Sequence, residues 1–99
     1  MPGVTRDGDA TTTGHGCDAT TTVTGPSTDV FCNSLGVERK TDPTASHDIT
    51  SGLDCVAHTS SISGGSAKKV FVNGKLIARI GDACDSGNIT GGSTNVFAG

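Results

Sequence analysis

Apolar residues come in short runs separated by hydroxyl residues, Gly and Asp, and three of the runs contain the same dipeptide: Val30-Phe31, Val70-Phe71 and Val96-Phe97. The runs Val70-Phe71-Val72 and Leu76-Ile77-Ala78-Arg79-Ile80 flank Asn73-Gly74-Lys75. Asn-Gly between apolar runs is a strong hairpin signal, because both residues tolerate positive φ. Asn33-Ser34 is a weaker copy of that turn. No window sustains helical periodicity, and the density of β-branched residues, Ser and Gly works against helices. The pattern predicts an all-β chain of short hairpins, each running from a Val-Phe strand to an Arg strand and followed by a loop that begins at an Asp.

The hairpins belong to a degenerate repeat. Val23-Thr24-Gly25-Pro26-Ser27-Thr28, Ile62-Ser63-Gly64-Gly65-Ser66-Ala67 and Ile89-Thr90-Gly91-Gly92-Ser93-Thr94 precede the three Val-Phe pairs, and Arg39 and Arg79 each follow their phenylalanine by eight positions. The third pair is followed only by Ala98-Gly99, but its missing continuation stands at the other end, where Gly3-Val4-Thr5-Arg6-Asp7-Gly8-Asp9 matches Gly36 to Asp42 and Leu76 to Asp82. A repeat of this period signals stacked or radially arranged units. Its circular permutation predicts that the two termini pair and close a ring of three units over residues 1–99.

Composition limits what holds such an object together. With 99 residues, 15 Gly, three Phe and neither Trp nor Tyr, one domain with a modest core is expected, helped by a metal, disulfides or a partner. The formal charge of -3, with scattered Lys and Arg, gives no basic stripe for nucleic acid. No apolar run approaches the roughly 18 residues of a membrane span. Met1-Pro2-Gly3 leads straight into the first repeat without a signal-peptide pattern, so synthesis in the cytoplasm, with export only as part of another assembly, is expected.

The chemistry is in the loops. The spacing from Asp to the next Phe is 22, 29 and 15 residues in the three units, and these loops hold His15, His47 and His58 together with Cys17, Cys55 and Cys84. Equivalent loops around an axis converge, and imidazole and thiolate are the preferred ligands of a four-coordinate structural zinc. Cys55-Val56-Ala57-His58 is a C-x-x-H step that one turn can present to one ion, and His15 and His47 follow their repeat Asp by six and five residues. The reading is one structural zinc held by His15, His47, Cys55 and His58, with Cys17 or Cys84 as other sources of sulfur. Solvated loop histidines are the plain reading against it. Four cysteines also permit three full disulfide pairings, among which sequence does not choose, although a cytoplasmic origin disfavours them. Cys32, inside a strand, reads as a small buried hydrophobe. Arg6, Arg39 and Arg79 each precede an Asp by three residues, which suggests ion pairs at the hairpin-to-loop junctions rather than a docking ring of charge. A competing functional reading is a small zinc-dependent hydrolase with Asp48 or Asp54 as general base beside an open metal.

The segments Arg6-Asp7-Gly8-Asp9, Ser66 to Gly74 (SAKKVFVNG), Leu76 to Asp82 and Ser93 to Gly99 (STNVFAG) resemble the PAAR-repeat family over the whole chain. The second and third units match most closely. The first has lost both the Ala-Ala and the Gly-Asp in Val37-Glu38-Arg39-Lys40-Thr41-Asp42, and Gly14-His15-Gly16-Cys17-Asp18 is similar to contractile-phage members. The resemblance implies a small cone of β-hairpins with pseudo-three-fold symmetry and a zinc near its apex, bound in the family by three histidines and one cysteine. It implies a non-enzymatic spike tip, a single chain capping a homotrimeric β-helical spike of the central-spike or valine-glycine-repeat type, in a phage baseplate or a type VI secretion system. Such a tip pierces the target outer membrane. Cys84 stands two positions earlier than that family's usual cysteine, which favours Cys55, and a chain ending at Gly99 suggests no effector domain.

Overall fold

The computed structural model describes residues 2–64 and 69–99; Gly65, Ser66 and Ala67 of the second repeat lie outside them. The chain is all-β, and the described residues contain eleven short strands and no helix. Two tight hairpins form where the apolar pattern predicts them. Strands β3 (Phe31–Cys32) and β4 (Leu35–Gly36) pair around Asn33-Ser34, and β8 (Phe71–Val72) and β9 (Lys75–Leu76) pair around Asn73-Gly74. All four turn residues have positive φ, from 53° to 80°, the combination that matches a two-residue turn to the twist of its strands.

The third such pairing joins the two ends of the chain. Gly3 bridges Phe97, and Val4 N–H donates to Val96 C=O at 3.0 Å, as Val37 does to Val30 and Ile77 to Val70 at the same distance. In the first and third repeats the serine before Val-Phe has a local purpose. Ser27 Oγ accepts from Val30 N–H at 3.0 Å and Ser93 Oγ from Val96 N–H at 2.9 Å, a side-chain turn that starts the strand.

A closed circuit of backbone hydrogen bonds links the three Arg strands. Thr5 N–H donates to Ala78 C=O, Ala78 to Glu38, and Glu38 back to Thr5, each at 3.0 Å. On one side of this circuit Val4, Val37, Ile77, Cys32, Val72 and Ala98 form one buried cluster, and Val23, Ile62, Ile89, Ala78 and Cys84 form another. Each cluster collects corresponding residues from the repeats, so a core that no single unit can build is assembled from three small contributions. Cys32 is buried and free, as its place in a strand predicts.

Turns at the junctions lead into the loops. Asp9, Asp42 and Asp82 N–H groups donate back to Arg6, Arg39 and Arg79 C=O, and the third turn residue has positive φ each time: Gly8 84°, Thr41 80°, Gly81 95°. Arg6 and Arg39 chelate Asp9 and Asp42 through two nitrogens at 2.8 to 3.0 Å, so these are the junction ion pairs that the spacing suggests. Arg79 N–H donates to Asp82 Oδ2, and Arg79 Nη1 to Ala98 C=O, tying the junction to the C-terminus.

The loops themselves fold into further hairpins. Strands β1 (Ala10–Thr12) and β2 (Thr20–Thr22) form one, β5 (His47–Ser51) and β6 (Asp54–His58) a longer one, and β10 (Ala83–Cys84) and β11 (Gly87–Asn88) a third, with β7 (Ile62–Gly64) alongside β10. The extra length of the second loop is thus a regular β-hairpin. The molecule is elongated, 42 × 23 × 23 Å, and no helix is long and apolar enough to cross a membrane.

Candidate metal centre

His15, His47 and His58 come together from two separate loops of the chain. His47 and His58 are directly opposed at the base of the β5–β6 hairpin, so both side chains leave the same face. His15 arrives from the connection between β1 and β2, where Thr13 Oγ1 and a Thr13 N–H bond to Ala19 C=O close the loop. The fourth member is Asp85, in the tight β10–β11 turn at φ 54°. Its Oδ2 lies 2.8 Å from His15 Nε2 and 2.9 Å from His47 Nε2, its Oδ1 lies 3.4 Å from His58 Nε2, and the two Nε2 atoms of His15 and His47 are 3.2 Å apart. A tetrahedron with metal-ligand bonds near 2.0 Å has edges of about 3.3 Å. The four ligand atoms all lie within 4.8 Å of one another, so the group can hold one metal ion.

Two of the rings are oriented by the backbone. Their Nδ1 atoms face carbonyl oxygens, His47 toward Ala45 at 2.9 Å and His15 toward Gly16 at 3.1 Å. A carbonyl only accepts, so Nδ1 carries the hydrogen and, in the neutral ring, Nε2 turns its lone pair toward the Asp85 carboxylate. Lone pairs facing a carboxylate oxygen demand a cation between them, either protons or a metal. Burial alone would raise the Asp85 pKa, but hydrogen bonds from His15, His47 and His58 outweigh it and hold the group below its ordinary value. His15 is held above its ordinary value, first by the Gly16 carbonyl and then, against desolvation, by Asp85.

Cys55 is not in this group. It forms a disulfide with Cys17, so it has no thiolate to offer an ion. The reason is its element: residues 54–58 are a strand, not a turn, and alternation sends positions 55 and 58 to opposite faces. C-x-x-H therefore does not chelate here. Cys17 is engaged in the same bond, and Cys84 is fully buried in the second core cluster, which removes both other sources of sulfur. Asp48 pairs with Ala57 on the face away from the histidines, and Asp54 lies at the far end of the hairpin, so neither proposed general base reaches the cluster. Asp85 was findable: the third loop carries no histidine, and the only carboxylates it offers are Asp82, committed to its junction turn, and Asp85.

No protein-family model matches the chain, and no curated protein matches it.

Proposed function

We propose that this protein is the tip of a contractile injection spike, a single chain with pseudo-three-fold symmetry that caps a homotrimeric β-helical spike and is pinned at its apex by one structural zinc. The observation that carries the reading is a surface made three times. Phe31, Phe71 and Phe97 are 61%, 59% and 50% exposed, with Val30, Val96 and Leu35 also exposed beside them, while the residues next to them in each strand form one shared core. Three large apolar groups left outside at corresponding positions suit three identical partner chains. The closed backbone circuit and the paired termini favour a stiff body, and the 42 Å long axis favours a pointed one.

The task is mechanical. A metal with all four positions filled by protein has no place for substrate, and zinc adds no redox chemistry. Three imidazoles and a carboxylate are ligands that zinc accepts, and the aligned Nε2 lone pairs support a cation there.

Native mass spectrometry of protein purified without an affinity tag is the test of the site. One zinc per chain is expected, lost in His58→Ala. Cobalt substitution should give tetrahedral d–d bands without a thiolate charge-transfer band, because the ligand set is nitrogen and oxygen. A metal-free native protein that takes up neither ion would sink the metal reading. Sedimentation with a trimeric β-helical spike fragment tests the cap, with one chain per trimer expected.

A further inference from the structure

The histidines are delivered by two separate parts of the chain, and a disulfide joins those parts. His15 comes from the β1–β2 connection, His47 and His58 from the β5–β6 hairpin, and Cys17–Cys55 ties the first to the second across 38 residues, with Cα atoms 5.9 Å apart. Among the described residues the two parts are also tied by a bridge between Cys17 and Ile49, Asp18 N–H to Asp48 C=O at 3.1 Å, Asp48 N–H to Asp18 Oδ2 at 2.7 Å, a contact of Cys17 Sγ with Thr50 Oγ1 at 3.4 Å and, at the end of β2, Ala45 N–H to Thr22 C=O at 2.8 Å. The contact is close, since a Cβ on Gly16 would collide with Thr50 Oγ1. It is also strained, because Cys17 takes a left-handed φ of 72°, which an ordinary side chain resists and the surroundings must enforce.

Cys55 pairs with Thr50 across the hairpin, while His47 pairs with His58 three positions further along. The bridge therefore sits on the hairpin face opposite the histidines. It fixes the distance between the two ligand-bearing segments without entering the ligand set. Cys17 and Cys55 are both exposed, so a reductant reaches the bond directly.

We propose that Cys17–Cys55 is a redox lock on the metal centre: the oxidised chain holds His15 against His47 and His58 and binds metal tightly, and reduction releases the His15 loop and weakens binding. This rests on the metal reading above. Reduction by a dithiol transfers two electrons and two protons, converting the bridge to two cysteine thiols while the dithiol closes to its own disulfide. The coupling is reciprocal, so a bound metal protects the bridge from reduction. The tip would then load its ion where thiols are oxidised.

Zinc affinity of the full chain, measured by competition with a chromophoric chelator, decides this in three forms: oxidised, reduced by a water-soluble phosphine, and Cys17→Ser/Cys55→Ser. Loss of a group that orients ligands costs about 10- to 100-fold in metal affinity, and that weakening is expected in both bridge-free forms. The second readout is the rate of phosphine reduction, which should slow when zinc is bound, an effect that a bridge serving stability alone does not give. Equal affinity in all three forms, or tighter binding after reduction, overturns the lock but leaves the metal site standing. No zinc binding by the oxidised protein overturns the site, and the lock with it. Should the serine variant fail to fold, reduced wild-type protein carries the comparison.

Discussion

At the scale of single residues, the first repeat shows what a departure from pattern costs. Thr41 occupies the turn position held by Gly8 and Gly81 and is forced to the same positive φ. A β-branched residue there carries roughly 1 to 2 kcal/mol of strain, part of which glycine returns as backbone entropy. Thr41→Gly should stabilise the protein by up to about 1 kcal/mol, read as a rise in the urea midpoint. Glu38 is the opposite case, a carboxyl inside the backbone circuit with 0% exposure and no hydrogen-bond partner for either oxygen among the described residues. Burial, with the nearby Asp42 and Asp7 charges, pushes its pKa up to about 9 from 4.5. The folded state therefore holds a proton that the unfolded chain releases, and the contribution to stability is full below pH 4.5 and is lost as pH rises toward 9. Glu38→Met, similar in volume and apolar, should be more stable at pH 8 and should flatten the difference in melting temperature between pH 5 and pH 8. An identical pH slope in the variant would show that other groups set it.

At the scale of elements, the hairpins around Asn33-Ser34 and Asn73-Gly74 were legible because their cause is local: two residues with positive φ between apolar runs. The convergence of the three histidines was also legible, through the equivalence of the loops that carry them. The ligand partner was legible only by elimination, as the one carboxylate of the third loop not committed to a junction turn. Asn88, Gly87 and Cys84 give β10–β11 too little pattern to reveal a hairpin whose turn aims a carboxylate, and C-x-x-H reads the same in a turn as in a strand. Only the alternation of β6 turns Cys55 away from His58. Asp85→Asn keeps the shape of the turn while removing the charge that faces three imidazoles, and zinc affinity should fall by about tenfold or more, measured by chelator competition. Metal binding should also weaken as pH falls, since protons compete for the Nε2 lone pairs.

At the scale of the whole molecule, the exposed phenylalanines and the inner cores are the two faces of the same short strands. Phe31→Glu/Phe71→Glu/Phe97→Glu changes side chains that are half exposed or more, so the melting temperature should move little while sedimentation with a trimeric spike fragment is lost. Retained binding would place the interface elsewhere on the surface. The sequence by itself determined the all-β class, the turn positions, the ring-closing partnership of Gly3-Val4 with Val96-Phe97, and the junction pairs Arg6–Asp9 and Arg39–Asp42, because each depends on neighbours in the chain or on repetition of one unit. Only the tertiary structure decided that Cys17 meets Cys55 and that Asp85 meets the histidines. Those contacts join loops of unequal length, so repetition of one unit does not predict them, and their geometry is set by which face of a strand each residue occupies once the chain has folded.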